Sequence, residues 1–179
     1  SDLAFLKLPV VWWCFAFFFL STMTLAVVQS FAPSILRALH GVSVEVATLT
    51  VSAYMLSGAA GILVGGFVAA YGQGHRFSSD RVVAFSMSGG AFLLLLSASG
   101  WLGSTGSMVV LAITGFAVGV GGPSRDMMIK KAAPPGATGR VYGTVYAGLD
   151  AGFAVSPMLF GVFMDRGWYA STLAGAAIV

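Results

Sequence analysis

Charged residues are what this sequence has least of. Only 8% of its 179 residues are Asp, Glu, Lys or Arg, whereas 58% are hydrophobic. A soluble domain carries about 25% charged residues, and a soluble fold of this composition would leave a large apolar surface in water. The composition therefore excludes the soluble class and predicts an integral membrane protein.

Residues for several kinds of chemistry are also missing. Cys14 is the only cysteine, so the chain offers neither a disulfide nor a cysteine-ligated metal site. The chain contains no GxxxxGK phosphate-binding loop, so nothing supports an ATP-driven pump. His40 and His75 are predicted to lie on opposite sides of the membrane, where they cannot share a metal. No Ser-His-Asp or paired-carboxylate arrangement is available for hydrolysis. We expect no enzyme, no cofactor, no metal and no nucleic-acid partner.

Long stretches without charge define the predicted membrane spans. The longest, Val82–Ser124, has 43 residues, and the polar "GWLGSTGS" at 100–107 divides it into two. Because about 20 apolar residues cross the hydrocarbon as a helix, the chain has five complete spans and a sixth that stops early. The sixth reaches only about 18 Å at a rise of ~1.5 Å per residue. The predicted spans are about 9–36, 46–71, 82–100, 107–124, 141–163 and a truncated 168–179.

Lysine and arginine are distributed unequally between the two sides of the membrane. If the spans alternate, one side carries only Arg37 and Arg166. The other side carries Lys7, Arg76, Arg81, Arg125, Lys130, Lys131 and Arg140. The positive-inside rule places the second set in the cytoplasm. The N-terminus of this chain is therefore predicted to be cytoplasmic.

The spans divide into two groups of three with a weak internal similarity. The second span ends in "GFVAAYG" at 66–72 and the fifth in "GVFMDRG" at 161–167, each a glycine, five residues and a glycine. Such similarity is typical of transporters built from inverted three-helix repeats.

Two loop sequences resemble motifs of the major facilitator superfamily (MFS). The first, "GGFVAAYGQGHRFSSDRV" at 65–82, is similar to the family's cytoplasmic loop motif. The second, "GGPSRDMMIKKAAPPGATGRVYG" at 121–143, resembles the stretch between the tenth and eleventh helices of bacterial members. The resemblance covers residues 1–179 and implies the C-terminal transmembrane half, helices seven to twelve. The fold class it implies is all-α integral membrane, a six-helix half built from two inverted three-helix repeats. It also implies a bacterial inner membrane, with a missing N-terminal half as partner.

The first loop departs from the family motif in its charges. The motif's acid and base positions hold Ala70 and Tyr71, so the usual charge network is absent there. Cations of this loop could instead close a gate by pairing with an acid on the next cytoplasmic loop, or they could only satisfy the positive-inside rule. The predicted cytoplasmic gate comprises Arg76, Arg81, Arg125 and Asp126.

The fifth span combines a polar face with a face of small residues. On a helical wheel Tyr142, Tyr146 and Asp150 form one stripe, while Gly148 and Gly152 lie on the opposite side. A charged carboxylate near the bilayer centre costs at least ~2.5 kcal/mol, so it must be protonated, paired or hydrated. Asp150 could couple proton movement to a change of shape or contact substrate, or it could join helices through a permanent hydrogen bond.

The fifth span also resembles a degenerate form of the family's antiporter motif. Its five positions read Gly152, Ser156-Pro157 and Phe160-Gly161, and three of them hold. This favours antiport.

The first two spans supply further candidates for a binding site. Thr22 and Gln29 are seven residues apart and share a face that Pro33 extends. By the resemblance this helix lines the central cavity, and Tyr54 is a further cavity residue. Gln29 suits an uncharged or zwitterionic ligand, although it could instead bond a backbone group freed by Pro33.

Glycines and phenylalanines of the spans are read as structural. The ladders Ser57-Gly61-Gly65 and Gly115-Gly119 predict helix packing surfaces. Gly121-Gly122-Pro123 is expected to end the fourth span. The run Phe15–Phe19 is interpreted as lipid-facing or core bulk.

The sequence predicts secondary active transport of a small organic molecule by alternating access. The first choice is proton-coupled export by a drug or metabolite antiporter. The alternatives are a proton-coupled organic acid symporter and, from another class, a non-transporting membrane scaffold or sensor. The partners are the lipid bilayer, protons and a small-molecule substrate. The residues predicted to bind substrate or couple protons are Asp150, Tyr146, Gln29, Thr22 and Tyr54.

Overall fold

The computed structural model describes residues 4–72 and 79–179, and every regular element within them is helical. A short 3₁₀ turn at Ala4–Lys7 precedes six α-helices. These are α1 (Pro9–His40), α2 (Val44–Gly72), α3 (Ser79–Ala98), α4 (Gly103–Ala132), α5 (Thr138–Asp165) and α6 (Tyr169–Ile178). We call the end of the bundle where α1 begins the lower end, and the end where α1 finishes the upper end.

Helices α1 to α5 are long and apolar enough to cross a membrane, and α6 is a shorter apolar helix of 10 residues. Helix α2 shows why the surroundings must be lipid. From Ala53 to Ala70 every exposed side chain of this helix is apolar, and Leu56, Leu63 and Phe67 are 73%, 70% and 78% exposed. Exposing so continuous an apolar surface to water is unfavourable, whereas in the hydrocarbon of a bilayer it carries no such cost. The predicted all-α membrane fold is confirmed.

Glycines hold α2 against α4. At Gly61 and Gly65 of α2, and at Gly115 and Gly119 of α4, the backbone of the other helix lies where a Cβ would be. The hydroxyl of Ser57 adds a hydrogen bond to a backbone carbonyl of α4. The predicted glycine ladders are therefore the contact surface of these two helices, which run parallel to each other.

The face of α5 that carries small residues packs on α1 in the same manner. A Cβ at Gly148 would lie 2.8 Å from the carbonyl oxygen of Phe15, and one at Gly152 would lie 2.6 Å from that of Phe19. Ser156, one turn further up, is fully buried and donates a hydrogen bond of 3.0 Å to a carbonyl of α1. Because these residues have no bulk, the two backbones approach closely without help from the hydrophobic effect.

The packing repeats when the first three helices are exchanged with the last three. The close parallel pair α1–α5 corresponds to the pair α4–α2, and the contact between α3 and α4 corresponds to that between α6 and α1. These two correspondences are the ones expected for the predicted division into two three-helix repeats.

The expected end of the fourth span at Gly121-Gly122-Pro123 is not the end of the helix. Helix α4 continues through Pro123 to Ala132. Proline removes one hydrogen-bond donor, but a membrane helix tolerates this where neighbouring helices pack around it. A Cβ at Gly121 would lie 2.9 Å from the Cβ of Ser86, so α3 supports α4 closely here. As a result, Arg125 and Asp126 lie on a helix and not in a loop.

Candidate functional site

Three helices converge on Arg125 in the lower part of the bundle. Arg125 stands seven residues before the end of α4, about 10 Å along the helix. The Cζ atom of its guanidinium lies 4.2 Å from the centre of the Phe18 ring on α1. A cation over an aromatic face is attracted by the ring quadrupole, more strongly where water is excluded. Phe18 is 1% exposed, so water is excluded from the ring that contacts the guanidinium.

Asp126 is the neighbouring carboxylate, but its contact with Arg125 is loose. The Nε of Arg125 and the Oδ1 of Asp126 are 3.8 Å apart, beyond hydrogen-bond distance. Both atoms are buried, and neither has a hydrogen-bond partner within the described part of the chain. Buried charges normally keep their hydrogen bonds because unmade bonds are costly. The pair therefore leaves donor and acceptor capacity unused.

Two tyrosines of α5 complete this group. The hydroxyl of Tyr142 donates a hydrogen bond of 2.9 Å to the backbone carbonyl of Asp126. The Tyr146 ring stands 5.8 Å from the Tyr142 ring and 5.5 Å from the Phe18 ring, centre to centre. Its hydroxyl interacts with the carboxylate of Asp126 as a hydrogen-bond partner and is within electrostatic reach of Arg125. We call the set Phe18, Arg125, Asp126, Tyr142 and Tyr146 the arginine cluster.

The arginine cluster rests on apolar side chains from the same three helices. Val11 of α1, Ile129 of α4, and Val141 and Val145 of α5 are at most 1% exposed and pack together with Phe18. Water cannot enter this layer, so charges above it interact in a medium of low polarity. Tyr146 is 38% exposed, which leaves one side of the cluster open.

Asp150 lies on the open face of α5, one turn above Tyr146. It stands 12 residues above the start of the helix and 15 below its end, near the middle of the span. Its side chain is exposed, whereas Gly148 and Gly152 on the other face contact α1. Within residues 4–72 and 79–179 no ion pair includes Asp150. The carboxylate is therefore not a bond between helices of this bundle.

Thr22 and Gln29 do not form one polar surface with Asp150. Thr22 is 2% exposed, and a Cβ at Gly152 would lie 3.0 Å from its own Cβ. The close α1–α5 contact buries Thr22, so in this structure its side chain does not reach the open face of α5. Gln29 lies two turns higher on α1 and is half-buried.

Tyr54 lines a separate cavity. This cavity of about 300 Å³ lies between α1, α3, α4 and α6, and its lining is mostly apolar. Tyr54 reaches it from α2 and is 5% exposed, with Thr24 and Thr114 nearby in the wall. Both threonine hydroxyls already bond backbone carbonyls. The predicted binding residues therefore fall in different places, and only Tyr146 and Asp150 are neighbours.

The residues of the predicted gate also lie in different places. Arg76 lies outside the described residues. Arg81 is exposed near the start of α3, and across the described part of the chain no ion pair joins it to Asp126. The cation beside Asp126 is Arg125, its neighbour on α4. The expected pairing of Arg81 with Asp126 is not formed, because Asp126 lies within helix α4 and faces α5.

Comparison with known proteins gives one family. The sequence model of the Major Facilitator Superfamily matches residues 11–179, nearly the entire chain. No curated protein matches the sequence.

Proposed function

The chain belongs to the major facilitator superfamily, whose members are membrane transporters, and on that premise we propose that it forms one half of a proton-coupled exporter of small organic molecules. The two halves would rock about a site between them and expose it to each side of the membrane in turn. Family membership favours this over a scaffold or sensor.

The observation that carries the proton coupling is the position of Asp150. A carboxylate halfway along a membrane span, exposed on this half and without an ion pair among the described residues, can gain and lose a proton. The helix packed behind it, α1, carries no charged residue from Leu8 to Leu36. The nearest titratable neighbour on its own face is Tyr146.

Export is supported by the antiporter-like positions of α5. Gly152, Ser156 and Phe160 are all buried and form the stripe that packs against α1. Gly152 matches the motif, whereas Ser156 and Phe160 stand at two of its glycine positions. The buried stripe that the three residues form fixes the angle at which α5 presents Asp150. The density of Lys and Arg on one side further supports placing the lower end of the bundle in the cytoplasm. The resemblance of residues 121–143 to bacterial members supports a bacterial plasma membrane.

The proposed second half follows from the surfaces that this half leaves uncovered. Large apolar side chains stand out from α5, among them Phe153 and Met158, which are 41% and 74% exposed. We expect an immunoblot of native membranes, with an antibody to residues 125–140, to show a band of at least about twice the 18.4 kDa of this chain. A band at the mass of the chain itself, with no partner chain copurifying, would contradict a two-half transporter.

The transport proposal predicts a proton flux that depends on substrate. Inside-out vesicles with the native gene product are energised until their lumen is acidic, and a pH-sensitive dye reports the gradient. We expect small organic compounds from a panel of acids and bases to release luminal protons in these vesicles, because exchange moves substrate inward and protons outward. Vesicles without the protein are the control for passive leakage. Substrate uptake that proceeds without any change in the pH gradient would contradict proton-coupled export.

A further inference from the structure

We propose that the arginine cluster binds the anionic group of a small organic monoanion, with the guanidinium of Arg125 as the principal donor. This deepens the proposed transport function by naming a substrate class, a molecule that carries one carboxylate or a similar oxyanion. The ligand is a substrate only if the proposed transport function holds. Arg125 would then be a binding residue, and not a gate residue.

The unused hydrogen-bonding capacity of Arg125 is the first support. Guanidinium remains charged in proteins and presents five N–H donors in a planar fork that matches a carboxylate. At Arg125 the Nε has no hydrogen-bond partner among the described residues, and the nearest carboxylate oxygen is 3.8 Å away. A structural ion pair would close that gap, because charged hydrogen bonds are shorter, about 2.7–2.9 Å. The guanidinium is therefore held in place with its Nε–H unused.

The surroundings favour an anion at this place. Phe18 supports one face of the guanidinium, so its orientation is fixed before a ligand arrives. The apolar layer around Ile129 and Val145 keeps water from below, which strengthens the attraction between opposite charges. The side chain of Arg125 is 23% exposed and Tyr146 is 38% exposed, so a small molecule has access from the open side.

The other groups of the cluster set the preferred charge and shape. The hydroxyl of Tyr146 interacts with the carboxylate of Asp126 and lies near the guanidinium. The carboxylate of Asp126 stands beside the guanidinium and would repel a second negative charge on the ligand. The cluster should thus prefer monoanions to dianions and accept an apolar body along the exposed ring of Tyr146.

The test measures binding without a proton gradient. The native gene product, purified in detergent, is melted in the presence of acetate or benzoate, and in parallel with acetamide or benzamide. We expect at least one carboxylate to raise the melting temperature by roughly 2–4 °C at saturating concentration, and its neutral amide to have no effect. Succinate should stabilise less than the monoanion.

Substitutions locate the effect. Arg125→Gln should remove the carboxylate-dependent rise, and Arg125→Lys should weaken binding, because lysine lacks the planar fork. Lys130→Gln is the matched control, since Lys130 is an exposed cation of the same helix. Should the glutamine variant fail to fold, the weaker affinity of the lysine variant decides the matter.

Two results would overturn the proposal: equal stabilisation by acids and amides, or a carboxylate effect that survives in both Arg125 variants. Neither bears on proton coupling. A protein that binds carboxylates through Arg125 but moves no protons would instead overturn the transport proposal and leave the anion site intact.

Discussion

Replacing Gly61 with valine should stop the protein from accumulating in a folded form. Gly61 faces the α4 backbone at Phe116, where a Cβ would overlap the carbonyl group. A flexible side chain could move aside, but a helix backbone cannot move alone. The contact between α2 and α4 also includes Gly65, Gly115 and Gly119, so the two helices would have to move apart along its whole length. Overpacking of a core commonly costs 1–3 kcal/mol, and we expect about 3 kcal/mol or more here.

The measurement is the yield of monodisperse protein after detergent extraction, together with its melting temperature. Gly89→Val is the matched control, because Gly89 lies in the middle of α3 and a Cβ there meets no atom within 4 Å. Both variants carry the same cost of valine in a helix, so their difference isolates the contact. A Gly61 variant that melts like the Gly89 variant would show that α2 and α4 are not packed backbone to backbone.

The sequence predicted the contact surface of α2 and α4 because the glycine spacing that indicates it lies within a single helix. Small residues at intervals of four, as at Gly61 and Gly65, place a flat stripe on one helix face, and such a stripe has a known use in membranes. The helical-wheel projection of α5 gave the correct faces for the same reason. It placed Gly148 and Gly152 on the face opposite Asp150, and the structure has these glycines against α1.

The continuation of α4 through Pro123 could not be read from the same local rules. Proline and two glycines are ordinarily signs of a helix end. What keeps the helix intact is packing with α3 at Ser86, a contact between residues 35 positions apart. No local pattern carries that information. The error also moved Arg125 and Asp126 from a helix into a loop, which hid their relation to α5.

The arginine cluster was missed for a related reason. Its members come from α1, α4 and α5, and only the chain's tertiary arrangement brings Phe18 to Arg125. In the sequence Phe18 belongs to a run of phenylalanines with no distinguishing feature. A usable signal did exist in the spacing of Tyr142 and Tyr146, whose stripe pointed toward a polar partner. That partner is Arg125 with Asp126, in addition to Asp150 above.

Replacing Asp150 with asparagine should abolish proton-coupled transport and leave binding and exchange of substrate intact. Asparagine has nearly the same size and still forms hydrogen bonds, but it cannot take up or release a proton. Because Asp150 forms no ion pair within the described bundle and its side chain is exposed, its loss leaves no buried charge unpaired in this half. The melting temperature should therefore change little.

Two assays on the same vesicles separate the possible roles. Transport driven by a pH gradient should fall to the level of vesicles without protein, whereas exchange of labelled for unlabelled substrate, which needs no net proton movement, should continue. Asp165→Asn is the matched control, since Asp165 is an exposed carboxylate at the upper end of the same helix. Asp150→Glu should restore part of the coupling, because it returns the titratable group.

The alternatives to coupling predict different patterns. If Asp150 joined helices through a permanent hydrogen bond, the asparagine variant would keep much of that bond, and an alanine variant would lose stability and both kinds of transport together. If Asp150 only contacted substrate, exchange would weaken along with coupled transport. Retained exchange with lost coupling is the one pattern that a proton-carrying carboxylate explains, and full coupling in the asparagine variant would assign the proton to another group.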